Sequence, residues 1–249
     1  MNIRESIRNC VQLSGENPCV EDIRIGLGYS AVKLQDQRTG LANTFVETSP
    51  QGCSKFQGDL CLRNPPVSEI LEFLESSNII ACALGLAAAN ALSNTWKENL
   101  CTGDILEYLP LYSTDRLAMV GNFAPMLPKL QKIVHRVDVF ERISRQQEGI
   151  LPIEKGSEII PKCDVAFITS TSIINGTIDE VLPLTESCRE VVLLGASTPL
   201  APEVFKNTPV TRLSGILVPA PEKVMKIVSC GGGMQVFKNL IQKVNISVQ

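Results

Sequence analysis

The sequence predicts an α/β chain: a parallel-sheet domain preceded by a smaller α+β domain. Three observations predict it. From about Asp115 onward, short apolar runs alternate with helix-like stretches, the pattern of parallel strands covered on both faces. Before that point, two strand-like runs are followed by two helix-like ones, an α+β order. Between them, "TGDILEYLPLYST" at Thr102 to Thr114 fits neither pattern, so the expected domains are 1–108 and 109–249.

The elements follow in order. Ile3, Ile7, Cys10 and Val11 fall on one helical face at the start of the chain. Ile23 to Gln35 and Asn43 to Glu47 read as strands around the turn-rich "DQRTG" at Asp36 to Gly40. Thr48 to Pro66 reads as loop, and Ser68 to Glu75 and Asn78 to Ser93 as helices. In the second region Arg116 to Gly121, Arg136 to Phe140, Asp164 to Thr169, Glu190 to Leu194 and Leu213 to Val218 read as strands. Helices are expected over Pro125 to Ile133, Thr177 to Cys188, Pro221 to Ser229 and Met234 to Lys243. Thr177 and Glu180 have capping-box spacing, Pro183 is placed to kink its helix, and Pro221 and Gly231 bracket theirs.

Composition narrows the function. The net charge is −3 and aromatics make up 5%, so neither a basic stripe nor stacking platforms for nucleic acid are expected. The longest apolar run, Ile79 to Leu92, falls short of the ~20 residues that span a bilayer. No membrane partner is expected, and the charged start "MNIRESIRNCVQL" does not read as a signal peptide. The nine cysteines (10, 19, 53, 61, 82, 101, 163, 188 and 230) are odd in number and form no C-x-x-C pair. A reduced, cytoplasmic protein without a disulfide framework is expected. A homo-oligomer is compatible with all of this.

Ligands of open parallel sheets bind outside the carboxyl ends of the strands. Three such ends here are rich in small, hydroxyl and amide residues: "VGNFAPM" from Val120, "TSTSIINGT" from Thr169 and "GASTPLAP" from Gly195. Gly121 and Gly195 allow close backbone approach, and a helix starting near Thr177 is expected to attract an anion. Glu141 lies 20 residues after Gly121, where dinucleotide proteins often place an acid on a ribose. It reads equally as a solvated residue. "GNFAP" lacks the glycine fingerprint of a standard dinucleotide site. With His135 the single histidine, neither an imidazole metal cluster nor a Ser-His-Asp triad with a second imidazole is available. The "CGGG" at Cys230 to Gly233 reads as a helix stop.

At these loops the chain resembles a family of proteins named for heavy-metal chelation, long catalogued as domains of unknown function. The likeness rests on "VGNFAPM", "FER" at Phe140 to Arg142, "CDVAFITSTSIINGTIDEVL", "VVLLGASTPLAPEVF" and "LSGILV…PEKVMKIVSCGGGMQVF". "IRIGLGYSAVKL", "GLANTF" and "GLAAANAL" resemble the family's smaller domain. The resemblance implies an enolase-N-terminal-like domain, a Rossmann-like domain and a ligand cleft between them. The motif residues it carries over are Gly121, Phe123, Pro125, Glu141, Thr169, Asn175, Gly176, Thr177, Gly195, Ser197, Thr198 and Pro199. They are mostly glycines, hydroxyls and amides. Such groups suit a small organic or anionic ligand, or a metal held as a chelate complex, rather than a naked soft metal. The function implied is binding of a heavy metal or metal complex. The alternative is an enzyme or binder for a nucleotide-like or pterin-like cofactor. Whether the bound group is a metal ion or a metal complex stays open, as does any catalysed reaction.

Overall fold

The computed structural model describes residues 2–13, 15–46, 56, 63–142 and 148–248. The first helix, α1 (Ile3–Gln12), buries Ile3, Ile7 and Val11 and is capped by the Asn2 side chain, which accepts from the Glu5 N–H. The run expected as one strand from Ile23 to Gln35 is two, β1 (Val20–Ile25) and β2 (Tyr29–Leu34), paired antiparallel. The chain reverses at Gly26 to Gly28, where a β-carbon on Gly26 would lie 2.2 Å from the Val228 carbonyl oxygen. Strand β3 (Thr39–Asn43) completes a three-stranded antiparallel sheet. It begins inside the segment expected to turn, because the reversal is tighter and uses Gln37 at φ 72°. Thr44 to Val46, expected as strand, are irregular. Glu47, most of the expected loop and Cys53 and Cys61 lie outside the described residues.

Helix α2 (Val67–Leu71) runs into a 3₁₀ turn, Glu72–Glu75, and α3 (Ile79–Ser93) follows, its start capped by Asn78. Thirteen of the fifteen α3 residues are buried, as expected of a helix apolar on every side. Its neighbours come unusually close. A β-carbon on Gly40 of β3 would lie 2.0 Å from the Ala87 carbonyl oxygen and 2.3 Å from the Ala91 nitrogen. One on Gly85 would lie 2.4 Å from the Leu74 nitrogen.

The larger sheet has eight strands: β4 (Cys101–Thr102), β5 (Arg116–Val120), β6 (Arg136–Glu141), β7 (Ile150–Pro152), β8 (Val165–Thr169), β9 (Glu190–Leu194), β10 (Arg212–Leu217) and β11 (Gln242–Ser247). Its order is β4-β11-β10-β9-β8-β5-β6-β7. The six strands from β5 to β10 pair in parallel. Counted along the chain they lie 3-2-1-4-5-6, the Rossmann order. The order reverses between β5 and β8. Along β5, Ala118 and Val120 join one core and Leu117 and Met119 the other, so both faces are buried. The first of these cores also contains Ile3, Leu34, Ala87 and Ala91, so it runs on into the smaller sheet and its helices.

The sheet is not purely parallel, as the strand-helix alternation suggested. β11 pairs antiparallel with β10 and with β4. The helix expected from Met234 to Lys243 is one turn, α10 (Met234–Phe237), after which β11 covers the sheet edge. Val244, Asn245 and Ile246 are buried between exposed Lys243 and Ser247, as in a strand with neighbours on both sides. The strands are linked by α4 (Leu127–Leu130), α5 (Gly156–Ile159), α6 (Thr171–Ile174), α7 (Ile178–Val181), α8 (Pro202–Phe205) and α9 (Pro221–Ser229). The helix expected from Thr177 to Cys188 is instead α7 followed by a 3₁₀ turn, Leu182–Thr185. Pro183 lacks the N–H that would continue α7. No helix among the described residues is long and apolar enough to cross a membrane. The seven described cysteines are free thiols. Burial pushes Cys82 and Cys163 up to about 11 and Cys188 to about 12.

One ion pair fixes the entry to the large sheet. Arg189 donates to both carboxylate oxygens of Asp115, at 2.9 and 2.6 Å, and to the Pro110 carbonyl at 2.8 Å. Its guanidinium also lies 4.6 Å from the centre of the Tyr112 ring. Burial pushes the Asp115 carboxyl upward, but Arg189 and the Tyr112 N–H outweigh it and hold its pKa below the ordinary value. A carboxylate with a lowered folded pKa stabilises above its unfolded pKa and loses that contribution as pH falls through the folded one. Arg189→Gln is therefore expected to lower stability at pH 7 by about 2 kcal/mol. It should also flatten the loss of stability between neutral pH and the acid end of the carboxylate range. Urea unfolding across that range checks both; an acid limb unchanged in the variant would contradict the assignment.

Candidate functional site

A cavity of about 700 Å³ lies where the strand order reverses. Its floor comes from the ends of β5, β6 and β8: Val120 and Gly121, Phe140 and Glu141, and Thr169. Its roof comes from the smaller sheet and α3, through Leu27, Asn43 to Val46, and Ile79. In open α/β sheets this switch point is where ligands bind.

Each wall has a local cause. Gly121 has φ +99°, and a β-carbon there would lie 2.7 Å from two Thr169 side-chain carbons. Glycine thus brings the chain down onto β8 and turns the next N–H toward β6. There the Asn122 N–H donates to Glu141 Oε1 at 2.7 Å. The Glu141 carboxylate therefore sits on the cavity wall with one oxygen fixing the β5 loop. Across from it, the Thr169 and Thr171 hydroxyls are 3.0 Å apart, and the Ser172 hydroxyl donates to the Thr169 carbonyl at 2.7 Å. Asn175 Oδ1 accepts from the Thr177 N–H at 3.1 Å and hydroxyl at 2.7 Å. In the roof, the Thr44 N–H donates to the Gly28 carbonyl at 3.0 Å, and the Thr44 and Ser30 hydroxyls are 2.8 Å apart.

The α6–α7 corner is held from behind by α1. Arg4 donates to the carbonyls of Ile173 and Ile174 at 2.7 and 2.6 Å, and the Ile3 N–H donates to Asp179 at 3.2 Å.

Six of the twelve residues singled out from sequence line this cavity: Gly121, Phe123, Glu141, Thr169, Asn175 and Thr177. The other six do not. Pro125 is exposed in the 3₁₀ turn after β5, and Gly176 turns the chain at φ +78° beside Arg4. The third loop is built in beneath the smaller sheet and α3. The Ser197 hydroxyl accepts from the Asn43 N–H at 2.9 Å, and the Thr198 carbonyl accepts from the Asn94 amide at 2.9 Å. The Leu200 N–H donates back to Asn94 at 2.8 Å, and Lys97 donates to the Leu200 carbonyl at 2.7 Å. Pro199 is buried with them, and Gly195 turns the chain at φ +129°, where a β-carbon would lie 2.8 Å from Ser170 Oγ. Small polar residues at a strand end serve a domain junction here as readily as a ligand.

Two other expectations change. The Thr177 side chain makes no capping bond, Asn175 taking that role. The four-residue α7 carries Asp179 and Glu180 in its first turn, which oppose an anion there. Sequence reasoning missed Asn43, Thr44, Asn122 and Arg142, which also line the cavity. Asn43, Thr44 and Arg142 lay in plain view inside "GLANTF" and "FER".

Residues 104–247 match the model of a family described as "Putative heavy-metal chelation", and residues 8–93 match a second model with the same description. The chain belongs to this family. A relative from Methanocaldococcus jannaschii, an uncharacterized protein, is 27% identical over 255 residues, covering 99% of this chain and 97% of the relative. Two solved structures from the family, both of proteins with unknown function, share the fold. The one from Pyrococcus horikoshii is 25% identical with a TM-score of 0.85, and the match covers 99% of this chain and 100% of that one. The one from Desulfitobacterium hafniense is 23% identical with a TM-score of 0.82, covering 99% and 98%.

The cavity's donor set does not suit the bare metal of the family's description. Among the described residues it offers one carboxylate, Glu141, and otherwise hydroxyls, amides and the Arg142 guanidinium. Soft metals take thiolates and imidazoles. Among the described residues, no three histidine, cysteine, aspartate or glutamate side chains gather to hold an ion.

Proposed function

We propose that this protein binds a heavy metal as a complex with a small polar organic molecule, and that the organic part is what the switch-point cavity recognises. The observation that carries this is the chemistry of the lining. Glu141 on one side faces a set of hydroxyls and amides from Thr44, Thr169, Thr171 and Asn175 on the others. Phe45, Phe123 and Phe140 supply apolar surface. A volume of about 700 Å³ suits a small molecule. Gly121, Phe123, Glu141, Thr169, Asn175 and Thr177 would contact the ligand directly. Gly176, Gly195, Ser197, Thr198 and Pro199 would act by holding the walls.

A second reading rests on one specific observation. Glu141 ends the second strand of a 3-2-1-4-5-6 sheet, 20 residues after Gly121, which is the place of a ribose-binding acid. That favours a nucleotide-like cofactor. The absence of the glycine fingerprint after Gly121 weighs against it.

One preparation separates the two. Protein purified without oxygen or chelators is analysed for metals and, by mass spectrometry, for extracted small molecules. Metal and an organic chelator in equal amounts are expected. A metal-free nucleotide would support the second reading, and metal without any organic component, or an empty protein, would overturn the first. Titrating the recovered complex into Glu141→Gln is expected to show affinity about 10- to 150-fold weaker, as for loss of a charge-assisted hydrogen bond. Glutamine keeps an acceptor for the Asn122 N–H, so the loop should survive. Undiminished affinity would place the recognition elsewhere.

A further inference from the structure

A second cavity, of about 660 Å³, adjoins the first and shares Arg142 and Ile153 with it. Arg142 follows β6, and no hydrogen bond or ion pair engages its guanidinium among the described residues. The second cavity also carries Glu154, just after β7, and Glu180 of α7. Neither carboxylate forms an ion pair among the described residues. Among the described residues, the junction of the two cavities thus presents a cation, and the outer cavity two anions, with no ion pair formed between them. Elsewhere on the surface Arg8, Arg24, Arg38 and Arg63 each stand against a carboxylate, whereas Arg142 makes no such contact among the described residues.

We infer that the ligand is an amino-carboxylate long enough to enter both cavities, its carboxylate held by Arg142 at their junction and its ammonium by Glu154 and Glu180 in the outer one. This rests on the proposed reading of the first cavity and names the class of molecule it receives. A guanidinium pairs with a carboxylate through two parallel hydrogen bonds. An ammonium is a compact donor suited to carboxylates at the far end. An ammonium has no lone pair for a metal, so the metal of the complex would sit on further donor atoms of the same molecule, in the first cavity. A plain dicarboxylate meets repulsion in the outer cavity, and a plain diamine meets it at Arg142.

The test uses three probes of equal chain length, 5-aminovalerate, glutarate and cadaverine, titrated into the full chain labelled with ¹⁵N. The expected result is that 5-aminovalerate binds about 10-fold more tightly than either of the others. The shifted amides should lie near Arg142, Ser157 and Glu180. Arg142→Gln should abolish its advantage over cadaverine, and the double change Glu154→Gln with Glu180→Gln its advantage over glutarate. All three side chains are free of partners among the described residues, so the variants should fold normally. Equal binding of the three probes, or shifts confined to Gly121 and Thr169, would overturn the inference. Either outcome leaves the Glu141→Gln titration standing, so this failure is distinguishable from failure of the first cavity's reading.

Discussion

Gly40→Ala is expected to destabilise the protein by about 3 kcal/mol or more, the upper end for overpacking. A methyl group at this position would sit 2.0 Å from the Ala87 carbonyl oxygen, 2.3 Å from the Ala91 nitrogen and 2.8 Å from the Asn90 carbonyl carbon. All three are backbone atoms of α3, which cannot rotate away as a side chain would. The sheet must lift off the helix, and the 2.8 Å bond from the buried Asn90 amide to the Leu41 carbonyl stretches with it. Gly28, one strand away, has no atom within 4 Å of a built β-carbon. Gly28→Ala is therefore the control, expected to stay within about 0.5 kcal/mol of the parent. Urea midpoints decide the comparison; similar values for the two variants would mean that the close approach of β3 to α3 is not a constraint.

Asn94→Ala should be the next most damaging, by roughly 2–4 kcal/mol. The Asn94 amide donates to the carbonyls of Thr198 and Ile216, at 2.9 and 3.4 Å, and its oxygen accepts from the Leu200 N–H at 2.8 Å. Alanine leaves the Leu200 N–H and Thr198 carbonyl without partners in a buried junction. The loss should come with loosened docking, read as faster amide exchange at Leu200 than in the parent. A variant with parental exchange at Leu200 would show that the junction is held by its apolar contacts alone.

The large sheet was legible because its central strands are apolar on both faces. Val165 to Thr169 and Glu190 to Leu194 have no polar face to confuse with a helix. The edges were not. Cys101–Thr102 and Ile150–Pro152 are two and three residues long, too short for any period to show. β11 follows a glycine-rich stop that pointed toward another helix. Ile23 to Gln35 read as one strand because the reversal inside it uses Gly-Leu-Gly, apolar enough to pass for strand interior. Glu141 and Gly121 could be singled out by their spacing. Ser197 and Thr198 could not be separated from them, since composition does not tell a hydroxyl facing a cavity from one receiving the Asn43 N–H across a junction.

The junction built from Asn94 and the 195–200 loop also orders events during synthesis. Its partners stand 104 and 106 residues apart in the chain. At about 5–20 residues per second, Asn94 leaves the ribosome roughly 5–20 s before the loop that receives it. The three-stranded sheet and α3 are therefore complete while the surface they will rest on does not yet exist. For that interval the nascent chain displays the apolar side of α1 and α3 to whatever chaperone attends it. Strand β11 then seals both β10 and β4, so closure of the large sheet awaits synthesis of Gln242–Ser247.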